Sequence, residues 1–116
     1  MGPRLVELAR SPVGLENLEG STHEASGENP VCGDRVRFAA RVHEGVLARL
    51  RFRATACPAC VAVASCATLT FDGAAWPLKG IEATLQRAVD ERGGLTRFER
   101  HALRLVVDVL QRLAAV

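Results

Sequence analysis

The chain has 116 residues, enough for one domain, spanning 1–116, with a hydrophobic core of its own. Hydrophobic residues make up 48% against 24% charged, which excludes a disordered body, and a net charge of +2 is too small to name a class of partner. No 18-residue apolar run, no signal-peptide layout and no myristoylation pattern (Val6 breaks it) lead to the expectation of a cytoplasmic protein with no membrane association, whose four cysteines stay reduced for metal binding, sulfur chemistry or burial.

Residues 3–10 carry Leu5, Val6, Leu8 and Ala9, enough for a short amphipathic helix. Ser11-Pro12 ends it, because the residue before proline avoids helical angles. Gly14 and Gly20 bracket a loop, and the polar stretch 20–28 has room for one edge strand. Then comes Asn29-Pro30-Val31-Cys32-Gly33-Asp34, a turn punctuated by proline and glycine that sets a thiol and a carboxylate two residues apart.

From Arg35 the period becomes two. Val36, Phe38, Ala40 and Val42 alternate with arginines, His43-Glu44-Gly45 reads as a turn, and Val46, Ala48, Leu50, Phe52 and Ala54 continue the alternation. This is an antiparallel hairpin with one buried face; Arg35, Arg37, Arg41, Arg49, Arg51 and Arg53 lie on the other. A hairpin returns its end close to its start, so Cys57 should come back near Cys32 and Asp34. Two thiols and a carboxylate gathered in this way suit zinc or an iron–sulfur centre.

Cys57-Pro58 opens a helix, proline being favoured at the first helical position, with Cys57 as its N-cap. There the helix dipole favours thiolate. The segment to Thr70 is almost wholly apolar or small, which predicts a helix buried on most sides. Cys60 sits about 60° around it from Cys57, while Cys66 falls on the opposite face and reads as core. Trp76, in an irregular stretch, reads as a core plug; His23 and His43 lie in polar segments and read as exposed. Ile81, Leu85, Ala88 and Val89 predict a helix over 80–92, stopped by Gly93-Gly94. Thr96 and Glu99 form a capping-box pattern for a last helix whose buried stripe is Phe98, Ala102, Leu105, Val106, Val109 and Leu113, with His101 at its edge.

The turn Asn29-Pro30-Val31-Cys32-Gly33-Asp34, the hairpin after it, and Ala56-Cys57 leading into a helix with Ala62, Ala64 and Ser65 resemble the IscU/NifU N-terminal family of iron–sulfur cluster assembly scaffolds. The leader, with Ser11-Pro12-Val13-Gly14 and Leu18-Glu19, is similar as well. The resemblance implies an α/β (α+β) fold, a small antiparallel sheet of about three strands packed against C-terminal helices. It also implies a site at one tip where a [2Fe–2S] cluster is built from iron and desulfurase-derived sulfur and handed to apo iron–sulfur acceptor proteins. Family ligands fall on Cys32, Asp34 and Cys57. No cysteine follows Cys66, and His101 stands near the place of the family's third cysteine. Gly94-Leu95-Thr96-Arg97 replaces the proline-rich segment offered to a chaperone, so docking by that route is not expected.

Cys32, Asp34, Cys57 and His101 would thus supply S, O, S and N donors, a set acceptable to a [2Fe–2S] cluster or to Zn²⁺. The expected role is a scaffold and carrier, not an enzyme, with a zinc-binding sulfur acceptor of the same family as the alternative. A rival of another class comes from Cys57-Pro58-Ala59-Cys60, the spacing of a thiol–disulfide oxidoreductase, although such a motif normally belongs to a βαβ unit. In that scheme Cys60 is otherwise a spare or exchanging ligand. The arginine face lacks stacking aromatics, so a solvated face or an acidic protein partner is expected before nucleic acid.

Overall fold

The alternation that begins at Arg35 does build a hairpin. In the computed structural model, which describes all 116 residues, the order is α1 (Pro3–Arg10), β1 (His23–Asn29), β2 (Asp34–His43), β3 (Val46–Thr55), α2 (Pro58–Phe71), α3 (Ile81–Glu91) and α4 (Arg100–Ala115). The three strands form one antiparallel sheet in the order β1-β2-β3, giving an α+β fold. Both residues of the β2–β3 turn, Glu44 and Gly45, have positive φ, as the tightest hairpin turns require.

Phe38 pairs with Phe52 across β2 and β3, their rings 5.8 Å apart and tilted by 44°, and both are buried beneath the helices. The two-residue period breaks near the turn. Arg41 pairs with Arg49 but Val42 pairs with Leu47, so Ala48 is the extra residue of a bulge. Leu47 is therefore the buried residue, while Val46 and Ala48, expected inward, are exposed.

Helix α2 is the hub. Its residues from Ala59 to Thr68 are buried apart from Val61, which is partly so, and it touches α1, α3, α4 and β3. Helix α4 lies against β1, β2 and α2, with Ala102, Val106, Val109 and Leu113 in the core. It begins at Arg100, not at Thr96. Half of the expected capping box forms, the Glu99 carboxylate accepting the Thr96 N–H at 2.9 Å, but residues 97–99 make a separate turn first. Phe98 lies on that turn and is 81% exposed, contrary to its place in the expected stripe.

The outer edge of β3 is covered. Gly14 O accepts the Phe52 N–H, Phe52 O accepts the Glu16 N–H, Asp72 Oδ1 accepts the Leu50 N–H, and Leu47 exchanges two bonds with Gly73 and Ala74. Such cover removes the row of free backbone groups that makes an edge strand adhesive. Arg51 belongs to this cover, bonding Asp72 at 2.9 Å and Glu16 at 3.0 Å, so the arginine face is not uniformly free. His23 is half-buried, its ring centroid 4.9 Å from that of Trp76, which is itself packed against the core. No helix is long and apolar enough to cross a membrane.

Candidate metal and sulfur site

The site forms where three chain segments meet at one end of the sheet. The first is the loop between β1 and β2. Asn29 Oδ1 accepts the Val31 N–H at 3.0 Å, Asn29 O accepts the Gly33 N–H at 2.7 Å, and Gly33 takes φ +77, which a side chain would resist. The loop holds Val31 and Cys32 in solvent and returns the chain as Asp34, the first residue of β2, paired with Asn29. Asp34 is 6% exposed.

The second segment is the start of α2. Cys57 is its N-cap, in extended conformation, with Pro58 at the first helical position; its own side chain caps nothing. Asp34 reaches over instead, Oδ1 accepting the Cys57 N–H at 2.9 Å. A carboxylate at a helix N-terminus meets the positive end of the dipole, so Asp34 serves as a cap supplied from another strand. The third segment is the first turn of α4, which brings His101. Its Nδ1 lies 2.9 Å from Phe98 O; with that nitrogen as the donor, Nε2 carries the lone pair that faces the site.

Around Asp34 Oδ2 the distances are 3.1 Å to Cys32 Sγ, 3.4 Å to Cys60 Sγ and 3.6 Å to His101 Nε2. Cys57 Sγ is 3.7 Å from Cys60 Sγ and 3.7 Å from His101 Nε2. One ligand atom each from Asp34, Cys57, Cys60 and His101 lies within 4.8 Å of all the others. The fold thus brings together three of the four residues singled out in the sequence. Cys32, the fourth, is outside that tight group but bonds the same carboxylate. Cys60 is the addition, and its signal was the three-residue spacing from Cys57 at a helix start. Cys66 is fully buried in the core.

Burial works against a charged Asp34, but the Cys32 thiol, the Cys57 N–H and the Cys60 thiol outweigh it and hold the carboxyl below its ordinary value. The Asp34 backbone favours the Cys32 thiolate, yet the carboxylate beside it prevails and the thiol is raised. Cys60 is raised strongly, first by burial and then by Cys57 and Asp34. The metal-free site is therefore one carboxylate satisfied by thiol donors, which metal would replace with direct bonds. The donor set of two thiols, an imidazole and a carboxylate, with a third thiol at the margin, fits thiophilic metals.

The family profile of the NifU-like N terminal domain matches residues 7–115. The chain belongs to the NifU-like N-terminal domain family. It is 30% identical over 114 residues to the bifunctional protein NifU/MnmA of Rubrobacter xylanophilus, covering 96% of this chain but 23% of that protein's length. It is 25% identical over 103 residues to the iron–sulfur cluster assembly scaffold protein IscU 1 of Archaeoglobus fulgidus, covering 89% of this chain and 67% of that protein. Among solved structures, a protein of Fervidobacterium islandicum assigned as a cluster assembly scaffold for the SUF system superposes with a TM-score of 0.78 at 12% identity, covering 98% of this chain and 96% of that one. The N-terminal part of a NifU-like protein from Brucella abortus does so with 0.71 at 18%, covering 96% and 89%. At these identities the two structures speak for the fold, and they place the chain in the IscU/NifU N-terminal architecture expected from the sequence.

Proposed function

We propose that this chain is an iron–sulfur cluster assembly scaffold that accepts sulfur and iron, holds a transient [2Fe–2S] cluster as cargo and passes it to apo acceptor proteins. The observation that carries this reading is the convergence of Asp34, Cys57, Cys60 and His101 on one point, with Cys32 on the same carboxylate, in a member of the NifU-like N-terminal domain family. Cys57 is the sulfur entry point. It stands at the positive end of α2, half-buried beside solvent, where a persulfide donor such as a cysteine desulfurase can reach it. Cys32, Cys57, Asp34 and His101 hold the cargo. A carboxylate and an imidazole among thiolates grip it less firmly than four thiolates would, which suits material meant to leave. The protein acts as a carrier without catalytic turnover of its own.

A single Zn²⁺ is the second reading, favoured by the mutual 4.8 Å limit among four donor atoms, which matches the needs of one tetrahedral ion. The oxidoreductase reading loses its fold: the sheet is wholly antiparallel, with no βαβ unit around Cys57 and Cys60. Anaerobic reconstitution with iron and sulfide tests the proposal. Visible charge-transfer absorption, lost in Cys57→Ala and Cys32→Ala, supports the scaffold. A colourless chain retaining one zinc supports the second reading and overturns the first.

A further inference from the structure

Holding cargo leaves Cys60 without a defined task. Its Sγ is fully buried, 3.7 Å from Cys57 Sγ and 3.4 Å from Asp34 Oδ2. Sulfur that arrives as a persulfide is sulfane sulfur, whereas a cluster is built from sulfide, so two electrons must be added. Two thiols can supply them by becoming a disulfide. Disulfide formation needs an S–S separation of about 2.05 Å, so the two sulfurs must close by about 1.7 Å. Cys57 can make that movement, since it lies at the N-cap, outside the helical hydrogen-bond pattern, and is only half-buried. Cys60 is fixed one turn along a helix enclosed by the core.

We propose that Cys60 is the resolving thiol that reduces sulfur carried by Cys57. This inference rests on reading Cys57 as the sulfur acceptor. The Cys60 sulfur attacks Cys57 Sγ of the persulfide. The bond between Cys57 Sγ and the outer sulfur breaks, and the outer sulfur leaves with the bonding pair and the Cys60 proton as HS⁻. A Cys57–Cys60 disulfide remains. The transferred sulfur is reduced by two electrons and the thiol pair is oxidised by two; an external dithiol then restores the pair. Neither other cysteine offers this arrangement. Cys66 lies elsewhere in the core, and Cys32 meets the carboxylate but is outside the tight group that holds both Cys57 and Cys60.

The test uses the reduced, metal-free full chain under anaerobic conditions with one equivalent of cysteine persulfide, followed by intact mass, peptide mapping and sulfide release. The wild type is expected to end about 2 Da lighter, linked between Cys57 and Cys60, having released one sulfide per chain. Cys60→Ser and Cys60→Ala, each checked for native circular dichroism, are expected to retain about 32 Da on Cys57 and to release about tenfold less sulfide. Cys66→Ser and Cys32→Ser should behave as the wild type. Added sulfur that persists on wild-type Cys57 as fully as on Cys60→Ser overturns the inference and leaves the acceptor reading intact. Loss of the reaction in Cys32→Ser but not in the Cys60 variants overturns it as well. Failure of every chain to take up sulfur overturns the acceptor reading and this inference together.

Discussion

Asp34 Oδ1 accepts the backbone N–H of Cys57 at 2.9 Å, a bond spanning 23 residues that ties the first residue of β2 to the cap of α2. The helix has no cap from its own side chains, so this carboxylate is structural as well as a candidate ligand. Asp34→Ala should destabilise the metal-free chain by about 1–3 kcal/mol, the usual cost of stranding buried donors, while Asp34→Asn should cost less because an acceptor remains. Urea denaturation of the three chains measures this; equal midpoints for wild type and Asp34→Ala would remove Asp34 from the fold's supports.

The same carboxyl predicts an acid limit. A group held below its ordinary value in the folded state binds fewer protons there than in the unfolded chain, so its contribution is complete above the unfolded value and lost as pH falls through the folded one. Stability of the metal-free chain should therefore decline from about pH 4 downward, and the decline should be shallower in Asp34→Asn. Chemical denaturation at a series of pH values checks the difference in slope.

Cys32 and Cys60 should separate the two kinds of cargo. Cys60 belongs to the tight four-donor group and Cys32 does not. Zinc affinity should fall by about tenfold or more in Cys60→Ala and by less than about threefold in Cys32→Ala. Cluster absorption should be lost in Cys32→Ala. Competition with a zinc chelator, alongside reconstitution spectra, reads both; zinc loss in Cys32→Ala equal to that in Cys60→Ala would contradict the geometry.

His101 is aimed by the Phe98 carbonyl, which leaves Nε2 facing Cys57 and Asp34. His101→Ala should lower metal affinity by about 10–100-fold without unfolding α4, and His101→Cys should recover most of it, since thiolate suits the same ions. Metal titration decides; unchanged affinity in His101→Ala would make the ring a bystander.

Gly14 tests the cover on β3. It has φ +87, and a Cβ there would stand 2.6 Å from Thr68 Oγ1, while its carbonyl accepts the Phe52 N–H at 2.8 Å. Gly14→Ala should cost about 1–3 kcal/mol from strain and displaced packing. By loosening the strip over β3 it should also increase aggregation, seen as light scattering on mild heating.

Much of this arrangement was legible in the sequence because it is written in short periods. Alternation from Arg35 gave the hairpin, Pro58 after Cys57 gave the start of α2, and the small apolar run to Thr70 gave its burial. The errors fall where tertiary contacts override local pattern. The bulge at Ala48 exchanged the sides of Val46 and Leu47, and no periodicity announces an extra residue. Thr96 and Glu99 satisfied half a cap without starting a helix, because Glu99 also takes the Met1 amine at 2.8 Å and the chain turns before Arg100. At the site, Asp34, Cys57 and His101 came together as spacing and resemblance suggested. The place of Cys60 depended on how α2 is rotated against β2, which a helix without an amphipathic stripe does not encode.

The mechanical character of the tip follows from where its parts are anchored. Cys60 rides on a helix walled in on nearly every side, whereas Cys32 sits on a four-residue turn beside Val31, which is 94% exposed. One jaw is stiff and the other is pliant. The pliant jaw, with few neighbours to hold it, is the part that opens first, so a visiting protein that tugs on residues 30–33 could loosen the grip on a load while the interior stays at rest.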